Sequence, residues 1–193
     1  VVKNANPVLR PTRPRPSLPR TLALIVLLAA PAFALVACGN DKAAQAAQGA
    51  AVKTVADYFP IKVGERTVRM QLAVRNDEMQ RGLMGRRDLG PDDGMIFVYE
   101  KPQQMSFWMR NTPTPLDIGF FGAGGALEEI YPLHPFDETS VSSRSDRLQF
   151  ALEMKQGWFR EREVKPGAKL DLKALAAALK ARGFEPRRFG FDE

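Results

Sequence analysis

The chain has 193 residues, 28 Lys plus Arg against 22 Asp plus Glu, one His and one Cys, and a formal net charge of +6. A single Cys allows no internal disulfide, and zinc sites of four cysteines, or of two cysteines and two histidines, lack their ligands. The length suits one domain with appendages, and 45% hydrophobic with 26% charged residues is an ordinary globular balance.

Residues 1–37 read as an export signal. Lys3, Arg10, Arg13, Arg15 and Arg20 stand there without any acid, and Pro7, Pro11, Pro14, Pro16 and Pro19 forbid a helix. Thr21–Ala37 is then uncharged and almost wholly apolar, the order of a secretory signal peptide. A membrane span needs about 20 apolar residues, and this run is shorter and broken by Pro31. No adjacent arginine pair precedes it, which speaks against twin-arginine export. Leu35-Val36-Ala37-Cys38 resembles the lipobox of bacterial lipoproteins. That resemblance implies cleavage before Cys38, lipid on its thiol, and a membrane as partner through that anchor. Several acyl chains anchor stably where one is marginal. Gly39, not Asp, follows the Cys, so no inner-membrane retention signal is evident. The expected location is the periplasmic side of the cell envelope, with the outer membrane open.

The charge looks different once this segment is set apart. Five of the bases and none of the acids lie in residues 1–37, leaving 23 bases against 22 acids. A near-neutral remainder outside the membrane argues against nucleic acid as a partner.

Residues 38–56 are Ala- and Gln-rich and read as a flexible tether. Seventeen of them, Asn40–Ala56, reach about 50 Å at about 3.3 Å each. From Asp57 the texture changes. Ile61 and Val63, then Val68, Met70, Leu72 and Val74, alternate about Gly64-Glu65 and predict a β-hairpin. Asn76–Gly85 predicts a short helix that Asn76 caps and Gly85 ends, with Met79, Leu83 and Met84 on one face. Pro91–Gly94 is a turn. Met95–Tyr99 reads as a buried strand, Ser106–Met109 as another, and Leu116–Phe121 and Ala126–Tyr131 as a pair about Gly122–Gly125. Leu148, Phe150, Leu152 and Met154 alternate with polar neighbours, predicting a half-buried strand. Pro166-Gly167 gives a last turn before Lys169–Leu172. Residues 57–172 thus form a β domain. Residues 173–193 read as an appended helix, Lys173–Arg182, stopped by Gly183, and a loose tail from Phe184.

Many short strands argue for a mainly β (α+β) fold, a sandwich or small barrel with one short internal helix and a C-terminal helix. Arg81-Gly82-Leu83-Met84, Gly94–Phe97, Phe107–Thr112, Pro115–Ile118 and Ala151–Met154 occur in order. Together they resemble the domain of unknown function 192 family over about Asp57–Leu172. The resemblance implies a jelly-roll-like β-sandwich, usually secreted or lipid-anchored, and supplies no reaction.

The densest polar-aromatic patch is Trp108, Arg110, Asn111, Thr112 and Asp117. An indole face rimmed by hydrogen-bonding groups suits a small polar or saccharide ligand. The rival role is a buried Trp108 and a Pro-containing turn satisfied by Asn111, Thr112 and Asp117. Arg81, with its planar fork, and Glu153 are candidates to complete the site. Their rival roles are an exposed helix arginine and an outward strand glutamate. A second hypothesis is a hydrolase using Asp117, Glu153 or His134. A third is a structural or protein-interaction lipoprotein. All seven methionines lie in the domain; thioethers suit Cu(I), but core filling explains most of their positions. No cofactor motif and no metal site is expected. Lys180, Arg182, Arg187 and Arg188 form a basic cluster that reads as a solvated helix end, with anionic headgroups as the alternative.

Overall fold

The computed structural model describes residues 51–191. The predicted hairpin is there. β1 (Phe59–Val63) and β2 (Arg66–Ala73) pair antiparallel, with Val63 opposite Arg66 and Gly64-Glu65 between them. Gly64 takes φ +57, the left-handed region that a tight two-residue turn demands. β2 then pairs in parallel with β3 (Asp93–Gln103). A parallel pair needs a crossover. Here it contains α1 (Asn76–Arg81), whose buried residues Glu78 and Met79 face the sheet.

α1 starts where predicted but is shorter at its C-terminal end, and its cap differs. Arg75, not Asn76, is the N-cap residue, because the Glu78 carboxylate turns back to accept its backbone N–H at 3.0 Å. The helix stops at Gly82, not Gly85. β4 (Ser106–Phe107), β5 (Leu116–Gly122), β6 (Leu127–Leu133), β7 (Val141–Ser142) and β8 (Leu148–Lys155) follow. Six strands make one open mixed sheet in the order β1-β2-β3-β8-β5-β6, and β4 with β7 makes a small second sheet. The fold is therefore mostly β with few helices, as expected, and the sheet does not close. Glu129 on β6 accepts the backbone N–H groups of Arg144 and Ser145 at 2.9 and 3.0 Å, which pins the chain after β7.

Both faces of the large sheet are covered. On one, Met70, Leu72, Ile96, Phe150, Leu152 and Met154 pack against α2 (Trp158–Glu161) and α3 (Leu172–Ala181). Gly119 on β5 leaves room for Phe159, whose Cζ would lie 2.7 Å from any Cβ there. On the other face, Ala73, Met95, Phe97, Ile118, Phe120 and Ala151 pack under Met79, Leu83, Met105, Phe107 and Met109. The methionines divide with the faces. Met70 and Met154 belong to the first core, and Met79, Met95, Met105 and Met109 to the second.

Double coverage corrects three expectations. β8 is buried through Met154 on both faces, not half-buried, because it lies between β3 and β5 in the sheet. The C-terminal residues are not a loose tail. A 3-10 turn at Pro186–Phe189 leads to Phe191, and Phe189 and Phe191 join the first core, with Phe191 stacked on Phe150 at 5.9 Å. Arg182 is not a solvated helix end. It is buried, donates from Nη1 to the Leu72 carbonyl and from Nη2 to Glu78 at 2.5 Å, and so ties α3 to the start of α1. Arg188 does stay exposed, paired with Glu100.

The end of the tether is also held. Lys53 N–H donates to the Ala181 carbonyl at 2.9 Å, and Gln71 Nε2 donates to the Val55 carbonyl at 2.9 Å. The expected signal peptide and Cys38 lie outside the described residues.

Candidate functional site

The sheet register decides which predicted site residues share a face. On β5, Asp117 is opposite Met154 and Ile118 is opposite Glu153. Side chains alternate along a strand. Asp117 therefore points to the α2 and α3 side with Met154, and Glu153 to the α1 side with Met95 and Ile118. The sheet stands between the two carboxyls, so they are not the paired carboxylates of one hydrolytic site. Asp117 Oδ2 accepts the Gly157 backbone N–H at 2.7 Å, at a turn where Gly157 has φ +91. Burial raises the Asp117 pKa, opposed by that N–H and by Arg160. Its role is to hold the turn into α2.

Glu153 does not face water. It is 2% exposed, and burial raises its pKa. It continues a row across the sheet in which Gln71, Met95 and Glu153 are successive neighbours.

Asn111 and Thr112 form the predicted turn. Asn111 has φ +54, and Thr112 is buried, with its N–H on the Met109 carbonyl at 3.0 Å and its hydroxyl on the Arg110 carbonyl at 3.2 Å. The strand expected over Ser106–Met109 ends at Phe107, and Phe107 and Met109 are buried in the core. The Arg110 guanidinium lies 5.5 Å from the indole centroid and 4.0 Å from Glu138. His134 is exposed in the loop after β6. Asp137 beside it is held below its ordinary pKa, first by the Thr139 N–H.

Arg81 stands apart from this group, in a cleft. A cavity of about 320 Å³ beside α1 is lined by Arg81, Asp77, Gln71, Met84, Arg86 and Met95, among others. A second cavity, about 360 Å³, lies on the other flank of α1 and is lined by Asn76, Met79, Tyr99, Gln103 and Met105, among others. A third, about 220 Å³, lies between Gly64–Arg66 and Arg162–Val164. Trp108, Arg110, Asn111, Thr112, Asp117 and Glu153 line none of these three.

The first cleft has one fixed wall and one open one. Arg86 donates from Nη1 to Gln71 Oε1 at 2.8 Å, from Nη2 to the Tyr58 hydroxyl at 2.9 Å and from Nε to Asp88 at 2.5 Å. These contacts, Asp88 first, raise its pKa further. Arg81 and Asp77 are different. They lie four residues apart, a spacing that favours a helix ion pair. Neither is in an ion pair with the other or with any other described residue. The turn after α1 is sewn to the Asn111 turn, with Gly85 N–H on the Asn111 carbonyl at 2.8 Å and the Thr114 hydroxyl on the Arg86 carbonyl at 2.7 Å. Two of the motif segments thus meet beside the cleft.

Sequence reasoning missed Gln71, Asp77, Arg86 and Tyr99. Gln71 did carry a signal, as a polar residue inside the apolar run Met70–Ala73. Asp77, Arg86 and Tyr99 carried no such signal, and only the fold shows which surfaces they line.

The matching family model is DUF192, described as uncharacterized ACR, and it covers residues 59–172. The chain belongs to the DUF192 family. Among solved structures, a protein of unknown function from Novosphingobium aromaticivorans is 34% identical, with 68% of this chain and 99% of that one covered at a TM-score of 0.58. A protein from Sinorhizobium meliloti, described as a candidate transcription regulator, is 29% identical, with 59% of this chain and 91% of that one covered at a TM-score of 0.55. No curated protein matches the chain. The DUF192 match contains the cleft apart from its Val55-Ala56 edge.

Proposed function

We propose that this DUF192 chain is an exported, lipid-anchored protein of the cell envelope that binds a small polar ligand in the cleft between α1 and the sheet. The observation that carries the ligand reading is the open pair of Arg81 and Asp77 at the edge of a cavity of about 320 Å³. That volume lies at the small end of ligand pockets, which run from about 300 to 1,000 Å³. Arg81 supplies a fork for a carboxylate or hydroxyl-rich group, Asp77 an acceptor, and Met84 and Met95 an apolar floor. The fixed Arg86–Gln71–Tyr58 network keeps the opposite wall in place, which lowers the ordering cost of binding. A thermal-shift panel of sugars, amino acids and small carboxylates tests this reading. At least one class should raise the melting temperature of wild type and lose that effect in Arg81→Ala. Equal shifts in both would end it.

Export and anchoring rest on the basic, apolar and Leu35–Cys38 sequence order. Cys38→Ser should leave an unlipidated precursor; a mature, membrane-bound mutant would contradict the anchor. The near-neutral charge of residues 38–193 supports a small ligand over the nucleic acid that a regulator would bind. A second reading keeps a saccharide on the Trp108 surface. Phe136, 59% exposed and at φ +61, stands in the neighbouring loop, with its N–H on the Thr112 carbonyl at 3.2 Å. Loss of sugar-induced stabilisation in Trp108→Ala, but not in Arg81→Ala, would favour it.

A further inference from the structure

The charges that line the Arg81 cleft pair off until two are left. Arg86 is occupied by Gln71, Tyr58 and Asp88. Glu78 accepts the Val74 and Arg75 backbone N–H groups and the Arg182 guanidinium. Asp77 and Arg81 remain, both exposed and both on the lining, as one open anion and one open cation. An acid four residues ahead of a base is the favourable order for a helix ion pair, yet this pair is not made. The apolar part of the same lining is Val55, the half-buried Met84 and the buried Met95.

We propose that the cleft is a site for a free α-amino acid with an apolar side chain. This assignment rests on the Arg81 cleft being a ligand site and names the class of its ligand. Arg81 donates its planar fork to the carboxylate, and the ammonium, which has donors and no acceptor, donates to Asp77. The ligand brings one charge of each sign, so both open groups are neutralised together. A simple carboxylate would satisfy Arg81 and face Asp77 as a like charge, and a simple amine would do the reverse. A sugar would offer only neutral hydroxyls, whose hydrogen bonds to a charged group are weaker than those of an opposite charge. Val55, Met84 and Met95 give the side chain an apolar seat, and the unbranched methionines adapt to its shape.

Calorimetry with the full chain tests this, using L-leucine as probe. The controls are 4-methylpentanoate, which is leucine without its amine, and 3-methylbutylamine, which is leucine without its carboxylate. Wild type should bind leucine at least about tenfold more tightly than either control, the equivalent of one charged hydrogen bond. Asp77→Asn should erase the advantage over 4-methylpentanoate, and Arg81→Gln the advantage over 3-methylbutylamine. Glycine, which lacks the apolar side chain, should bind more weakly than leucine. Both substitutions are at exposed helix positions, and unchanged thermal unfolding confirms that the variants are folded. If 4-methylpentanoate binds wild type as tightly as leucine and is lost in Arg81→Gln, the cleft is a carboxylate site and the amino-acid assignment falls alone. It falls alone as well if leucine does not bind while another compound stabilises wild type and not Arg81→Ala. If leucine binds wild type and both variants equally, the assignment falls and the cleft reading loses its support with it.

Discussion

One face of the central sheet buries Met70, Leu72, Ile96, Phe150 and Leu152 under α2, α3 and the C-terminal turn. The opposite face uses the same strands, yet places Gln71, Tyr99 and Glu153 among Met95, Phe97 and Ile118. Two cavities flank the single short helix that covers it. The first face is closed by two helices and several aromatic rings, and its chemistry is complete. The second is closed by a six-residue helix and a two-stranded sheet. Buried polar groups cost stability unless paired. Concentrating them on the less covered side marks that side as the one shaped for a ligand.

The contact that joins the two faces should show the largest effect. Arg182→Ala removes the buried guanidinium from Glu78, leaving it the exposed Arg75 at 3.4 Å and the Val74 and Arg75 N–H groups, and should cost about 3 kcal/mol in denaturant unfolding. Adding Glu78→Gln should recover part of that loss, and no recovery would mean that the pair is not the source. Next comes the buried carboxyl. The folded chain holds the Glu153 proton above the ordinary value of 4.5. Its stabilising share is therefore complete below that value and is lost as pH rises through the folded pKa. Glu153→Gln should flatten the decline in melting temperature from acid toward neutral pH, and parallel curves would contradict its burial. Asp117→Ala removes the acceptor of the Gly157 N–H and should cost about 1 kcal/mol while leaving ligand binding intact. Arg81→Ala should change stability by no more than about 0.5 kcal/mol, yet remove the ligand response. A loss of both in Asp117→Ala, or of neither in Arg81→Ala, would blur the two faces into one.

The alternation of Ile61, Val63, Val68, Met70 and Leu72 was enough to read the first hairpin, because a strand with a period of two has few alternatives. The C-terminal helix was legible from the helical spacing of Leu172, Leu175, Ala176 and Leu179, and Asp171 caps it by accepting the Ala174 N–H at 2.9 Å. Its docking was not legible, since an amphipathic stripe says that a face is buried and not against what. Glu153 was misread for a related cause. In a strand covered on both sides, polar alternation no longer means solvent. Arg81 could be named from its motif, whereas its open partner Asp77 and the wall built by Arg86 depend on contacts across many residues. Asp117 and Glu153 were placed on opposite sides only by the register of β5 with β8.

The seven methionines report on both faces, so carbon-13 methyl spectra of the methionines, recorded while the best-binding compound of the thermal-shift panel is added, test the two-face account most directly. Met84 and Met95 line the Arg81 cleft, whereas Met70 and Met154 lie in the opposite core. The account predicts that Met84 and Met95 shift with the binding curve while Met70 and Met154 stay fixed. Shifts centred on Met70 and Met154, with Met84 and Met95 unmoved, would contradict it.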